Sequence, residues 1–207
     1  MRYFVKTPWL LKKIYPTGIW DIRGNEKVLY LTFDDGPHPE ATPFVLSELK
    51  KYNAKATFFC IGKNVVQHPN LYSQVLMEGH RTANHTYNHL NGWKTDDKKY
   101  FEDIAEARKY IDSDLFRPPY GRISKLQLKC LVDSFKMKAI MWSVLSADFD
   151  VKISPETCLR NVVLAAKPGS IIVFHDSKKA MENLTYALPG VLAHFSDKGY
   201  RFDKINL

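Results

Sequence analysis

The sequence predicts an α/β fold: a parallel sheet covered by helices and curled into a barrel, in a single domain. Three observations carry this. Short apolar runs alternate with longer amphipathic ones along the chain, the pattern of strand–helix repeats, and parallel strands need such crossovers. Residues able to do chemistry stand at the C-terminal ends of successive runs, at Asp34 and Asp35, His85, Arg117, Asp148 and His175. Along an open sheet they would be strung out on an edge, whereas on a closed rim they converge. Finally, 207 residues, 45% of them hydrophobic, suffice for one domain with a real core.

In order, Lys27 to Asp34 reads as a strand with apolar Val28, Leu29, Leu31 and Phe33, ended by the turn signal Asp-Asp-Gly-Pro. Thr42 then reads as an N-cap with Pro43 at the first helical position, opening a helix that ends near Asn53. Ala56 to Ile61 is a continuous apolar strand, as burial on both faces requires. A helix over 65–78 is stopped by Gly79, and Arg81 to Asn84 is a weakly patterned strand. A polar helix over 96–112, a short strand Leu115 to Arg117 cut off by Pro118-Pro119, and a helix over 124–135 follow. Lys138 to Val144 reads as one strong strand. Ser154 caps a helix with Pro155 at its first position, ended by Lys167-Pro168-Gly169. Ser170 to Phe174 is a strongly apolar strand, and Tyr200 to Ile205 the last. The expected division is an N-terminal segment, 1–26, packing on a barrel formed by 27–207.

Charge and composition exclude several functions. Thirty Lys plus Arg against 22 Asp plus Glu leave +8, but the basic pairs are scattered and no basic stripe is interleaved with aromatics, so no nucleic-acid partner is expected. Cys60, Cys130 and Cys158 have no CxxC spacing and an odd count, and read as small core hydrophobes. No apolar run reaches the ~18 residues of a transmembrane helix. The N-terminus mixes aromatics with Lys6, Lys12 and Lys13 and does not read as a signal peptide, so the expected location is cytoplasmic or membrane-peripheral. Oligomeric state is not readable.

Five short motifs carry the chemistry. Asp34-Asp35-Gly36-Pro37 sets adjacent carboxylates at a strand end, where they point in opposite directions and can do different jobs. His85-Thr86-Tyr87-Asn88-His89 spaces two imidazoles four apart, which one helical turn would bring to one face. Two His and one carboxylate make a catalytic zinc set, though they also suit iron. Arg117 can grip a carboxylate, and the Tyr120 N–H can donate to an oxyanion. Asp148-Phe149 can orient a histidine, and His175 ends the apolar strand. Tyr87, Trp93 and Tyr120 are aromatics able to stack on sugar rings or simply to pack.

Together these motifs, in order from Lys27 to about Asp176, resemble the polysaccharide deacetylase family, of the NodB-homology or carbohydrate esterase family 4 type. The resemblance implies a distorted (β/α) barrel of about seven parallel strands, fewer than a full eight. It implies one divalent metal, zinc first, on Asp35, His85 and His89, and Asp34 as general base held by Arg117. It further implies a Tyr120 oxyanion-hole N–H and His175 as general acid adjusted by Asp148. The activity implied is removal of N-acetyl groups from an acetylated glycan, with acetate released. Two positions depart from the family pattern: Phe149 stands where Asp-Trp is usual, and Val173 where Leu-x-His is usual. Tyr120, Phe149 and Val173 are the expected substrate-binding residues. The competing readings are a hydrolase of small non-sugar amides on the same barrel and a silent sugar-binding module.

Overall fold

The computed structural model describes residues 3–24 and 26–207; of the N-terminal segment, Met1, Arg2 and Asn25 lie outside the described residues. Along the chain run α1 (Trp9–Ile14), β1 (Val28–Asp34), α2 (Ala41–Lys51), β2 (Thr57–Cys60), α3 (Gly62–Gln67), α4 (Pro69–Met77) and β3 (Arg81–Asn84). Then come α5 (Asp97–Arg108), β4 (Leu115–Phe116), α6 (Lys125–Asp133), β5 (Lys138–Ala139), β6 (Val144–Leu145), α7 (Pro155–Ala165), β7 (Ile171–His175), α8 (Met181–Asp197) and β8 (Arg201–Phe202). The sheet order is β5-β4-β3-β2-β1-β7-β6, with β8 pairing the start of β1. Every strand pair is parallel. Seven parallel strands thus curl into a half-barrel with helices outside, the distorted barrel expected.

The strands alternate faces as the two-residue period demands. On β1, Leu29, Leu31 and Phe33 pack outward in the main core with α2 and α8, and Phe33 stacks between Phe58 and Phe174 at 5.1 and 6.1 Å. Thr32 and Asp34 point inward, where Arg117 reaches both. A smaller cluster of Phe59, Ala83, Leu115, Ile140, Ile171 and Ile205 fills the interior below them.

Several elements differ from the sequence reading, each for a local reason. The strand expected over Lys138 to Val144 is two strands of two residues, β5 and β6. Between them Arg117 Nε and Nη2 take the carbonyls of Ile140 and Met141, and Thr7 Oγ1 takes that of Trp142. The acceptors of a continuous ladder are thus spent elsewhere. The N-terminal segment fills the gap through bridges from Lys6 to Val144, Ile19 to Ile140 and Asp21 to Ser170. The helix over 65–78 breaks at His68, whose backbone leaves the helical region (φ −130°, ψ 56°) before Pro69. Thr42 is not an N-cap; it lies inside α2, which Glu40 precedes.

The long α8 lies in a stretch for which the sequence reading named no element, and it runs unbroken through Pro189 and Gly190. Interior proline removes one helical hydrogen bond, but α8 buries Leu184, Leu188, Val191, Leu192 and Phe195 in the main core. Gly190 lets α7 approach: a Cβ there would stand 2.9 Å from Leu159 Cδ2. The cap predicted at Ser154 holds, and Ser124, read as the start of a helix, is instead its N-cap, forming a full capping box with Gln127. Cys60 and Cys158 are buried and Cys130 partly so, all as free thiols. No helix among the described residues is long and apolar enough to cross a membrane.

Candidate active site

The strand ends deliver their polar residues to one rim, and the backbone there is unusually bent. Of seven non-glycine residues with positive φ among those described, Asp35, Thr86, His89, Tyr120 and Ala147 sit on the loops that follow β1, β3, β4 and β6. Each such residue costs on the order of 1–3 kcal/mol and persists only where its surroundings over-determine it. At Gly36 a Cβ would lie 2.0 Å from Asp176 Oδ2, so the turn after Asp35 admits only glycine. Asp176 accepts from the Gly36 N–H at 3.0 Å and meets Thr42 Oγ1 at 2.6 Å; burial pushes its carboxyl up to about 8.

His85 and His89 converge, but not on a helical turn. Residues 85–89 are a loop in which Thr86 and His89 take left-handed backbone. Asn84 Oδ1 accepts from the Thr86 N–H at 2.8 Å, and Asp103 on α5 accepts from the N–H groups of Tyr87 and Asn88, both at 2.9 Å. Tyr87 is spent on packing, against Tyr110 and under Gly62. It is absent from the residues lining the cavity, where Trp93 and Tyr120 stand exposed.

Asp35, His85 and His89 each offer one ligand atom, all within 4.8 Å of one another. His85 Nδ1 lies 2.8 Å from the Arg117 carbonyl, which can only accept, so the proton sits on Nδ1 and the Nε2 lone pair faces Asp35. Burial lowers His85 to about 4, which keeps that imidazole neutral. His89 Nε2 is 3.1 Å from Asp35 Oδ1 but off the line of a hydrogen bond, leaving Oδ1 buried with no donor. Burial raises the Asp35 carboxyl, and the surrounding His89, His175 and His85 rings outweigh this and hold it below the ordinary range. A buried, anionic, donor-free oxygen beside two imidazole nitrogens fits a divalent cation.

On one side of this triad lies Asp34, whose Oδ1 accepts from Arg117 Nη1 at 2.7 Å. Arg117 is fully buried, stacked 4.0 Å from the Phe59 ring, with further bonds to Thr32 Oγ1 and to the Ile140 and Met141 carbonyls. On the other lies His175, whose Nδ1 is 2.7 Å from Asp148 Oδ1 while its N–H donates to Asp148 Oδ2. Burial disfavours the imidazolium, but Asp148, with Asp35 and Asp34, raises His175 to about 9. Tyr120 adopts φ 60° and its hydroxyl stands 3.1 Å from His89 Nδ1.

These groups share one cavity of about 770 Å³, lined also by Phe149 and Val173. The sequence-predicted candidates therefore meet here, except that Tyr87 packs elsewhere and that Arg117 and Asp148 stand behind Asp34 and His175 rather than on the cavity wall. Sequence reasoning missed other residues. Tyr3, Phe4, Leu11 and Tyr15 of the N-terminal segment line the same cavity, as do Arg122 and Lys179. They stand in a short helix and loops, which have no telling periodicity. Asp103 had one faint signal, a carboxylate on the buried face of an amphipathic helix.

A family model described as polysaccharide deacetylase matches residues 21–134. Curated relatives include a peptidoglycan-N-acetylglucosamine deacetylase of Bacillus cereus, 38% identical over 201 residues that make up 93% of this chain and 94% of that one. A chitooligosaccharide deacetylase of Azorhizobium caulinodans is 34% identical over 75% of this chain and 76% of its own. Among solved structures, a peptidoglycan N-acetylglucosamine deacetylase in complex with 4-naphthalen-1-yl-N-oxidanyl-benzamide has a TM-score of 0.87 at 31% identity, over 96% of this chain and 95% of that one. The motifs, the barrel and these likenesses agree: the chain belongs to the polysaccharide deacetylase family of hydrolases.

Proposed function

We propose that the protein is a metal-dependent hydrolase that removes N-acetyl groups from amino-sugar residues of an oligo- or polysaccharide and releases acetate. The observation that carries this is the flanking of one Asp-His-His triad by a carboxylate, Asp34, and an imidazole, His175, in a single cavity. The two relatives named as deacetylases of acetylated glycans support the substrate class.

An amide resists hydrolysis because its carbonyl is a weak electrophile and its amine a poor leaving group. A divalent cation held by Asp35, His85 and His89, zinc first, supplies Lewis-acid polarisation and acidifies water when bound. Asp34 takes the proton of the attacking water, its orientation fixed by Arg117. The Tyr120 N–H donates to the oxygen of the tetrahedral intermediate. His175, protonated at neutral pH and backed by Asp148, gives its proton to the departing nitrogen. Phe149, edge-on to His175 at 5.2 Å, and Val173 wall the space for the acetyl methyl.

The test is a metal analysis of purified protein coupled to acetate release from acetylated glucosamine oligomers. Release should require metal and vanish on chelation. Metal-replete protein that binds such oligomers without releasing acetate would overturn the reading.

A further inference from the structure

Two cations line the cavity and serve neither the triad nor its flanking pairs. Arg122 follows β4 and the Pro119–Gly121 turn, half-buried, with its guanidinium 4.2 Å from the centroid of Trp93. Lys179 follows β7, with Nζ 5.8 Å from the centroid of Phe149. Strands β3, β2 and β1 separate β4 from β7, so the two cations approach the cavity from different sides. Neither has a carboxylate within 4.0 Å among the described residues. The cavity's own carboxylates are engaged: Asp34 is held by Arg117, and Asp35 faces two imidazoles.

A charge laid on an aromatic ring presents two things at once to a sugar chain. The ring offers an apolar face to a pyranose, and the cation beside it offers donors to whatever the pyranose carries. A guanidinium fixed by stacking keeps its bidentate fork free and loses little further entropy when a carboxylate binds. Neutral hydroxyls would draw much less from these cations, because charge-assisted bonds are roughly twice as strong as neutral ones. The surplus of +8 adds a long-range pull in the same sense.

We infer that this cleft selects acetylated glycans bearing carboxylate groups over neutral ones, with Arg122 and Lys179 as the specificity-determining residues that hold acidic substituents on sugars flanking the reacting one. This rests on the deacetylase reading above and narrows its substrate class.

The experiment uses matched acetylated amino-sugar oligomers, one set carrying carboxylates and the other with those carboxylates converted to neutral amides. Acetate release gives kcat and KM for the unaltered protein, Arg122→Gln, Arg122→Lys and Lys179→Gln, at low and at physiological ionic strength. The readout is the acidic-over-neutral ratio of kcat/KM, in which any general loss of activity cancels. The unaltered protein should favour the acidic set about tenfold or more, through KM, and less so as salt rises. Arg122→Gln should bring the ratio most of the way to one, Arg122→Lys should keep part of it, and Lys179→Gln should lower it about threefold. Equal KM for both sets, or a preference that survives both Gln substitutions, would overturn the inference and leave the deacetylase reading standing. Absence of acetate from either set would instead overturn that reading.

Discussion

Asp34–Arg117 and Asp148–His175 are both carboxylate–cation pairs with N···O of 2.7 Å, yet they are assembled in opposite senses. In the first the carboxylate faces the cavity and a fully buried arginine stands behind it. In the second the imidazole faces the cavity and a fully buried carboxylate stands behind it. In the proposed reaction the rear partner is in each case the one with no proton to exchange, and the front partner the one that moves a proton. Arginine stays charged at any working pH, so the Asp34 carboxylate always has a cation behind it. Asp148 favours the imidazolium, so His175 is loaded and ready to donate. The two sides differ in chemical direction because they differ in which partner is buried.

The largest effect that tests this contrast is on the front partners. Asp34→Asn should lower turnover by about 10²–10⁴-fold while the metal content of the protein is unchanged, checked by acetate release beside metal analysis. His85→Ala should lose both. Near-normal turnover in metal-loaded Asp34→Asn would remove the accepting role from Asp34.

Next come the rear partners, where stability and pH dependence should separate. Arg117→Met leaves a buried carboxylate without its cation and should cost about 3–5 kcal/mol in urea unfolding. Asp148→Asn keeps an acceptor for the His175 N–H and should cost less, but it removes the main influence raising that imidazole. The sign is set by protonation. A donor with a pKa near 9 is loaded below that value, so activity falls as pH rises toward 9, and a bound dication brings this limb lower. Asp148→Asn should move the alkaline limb of kcat to lower pH, and an unmoved limb would assign it to another group. The same raised value means that His175 stabilises the metal-free fold fully below its ordinary 6.5 and loses that contribution as pH rises through about 9.

The smallest effect on turnover is expected at Asp176, which moves no proton in the proposed reaction; its test is the stability of the fold. Its carboxyl, raised to about 8 by burial, holds a proton in the fold that the unfolded chain gives up near 3.8. Stability of the metal-free protein should therefore fall as pH rises from about 4 to 8, and Asp176→Asn should flatten that slope with little effect at pH 4. Thermal melts across this range would show it, and a parallel slope in both proteins would mean that Asp176 ionises in the fold.

How much of this was legible differed with the kind of residue. Asp34, Asp35, Arg117 and His175 stand directly at or after strand ends, and the two-residue alternation with Gly and Pro punctuation marks such ends well. The meeting of His85 with His89 was legible as a spacing, but its cause was not. A left-handed turn pinned by Asp103 replaces the helical turn, and that partner comes from the next helix, outside the reach of a local spacing rule. The break between β5 and β6 was hidden for a similar reason, since the group that takes the carbonyls, Arg117, belongs to another strand end. α8 was not read at all: Pro189 and Gly190 are breakers by local rule, and the packing against α2 and α7 overrides them. Arg122, Lys179 and the N-terminal lining residues were invisible, because a cavity wall need have no period in sequence.

The gap between β5 and β6 has a consequence for how the molecule comes into being. Its filler, residues 3–24, is made well before its partners Ile140, Val144 and Ser170 emerge from the ribosome. Contacts of such long separation form slowly, because closing so large a loop costs entropy before any bond repays it. That stretch must therefore wait, unplaced, until the chain as far as Ser170 has been synthesised. The wall it contributes to the cavity forms long after the residues that make it.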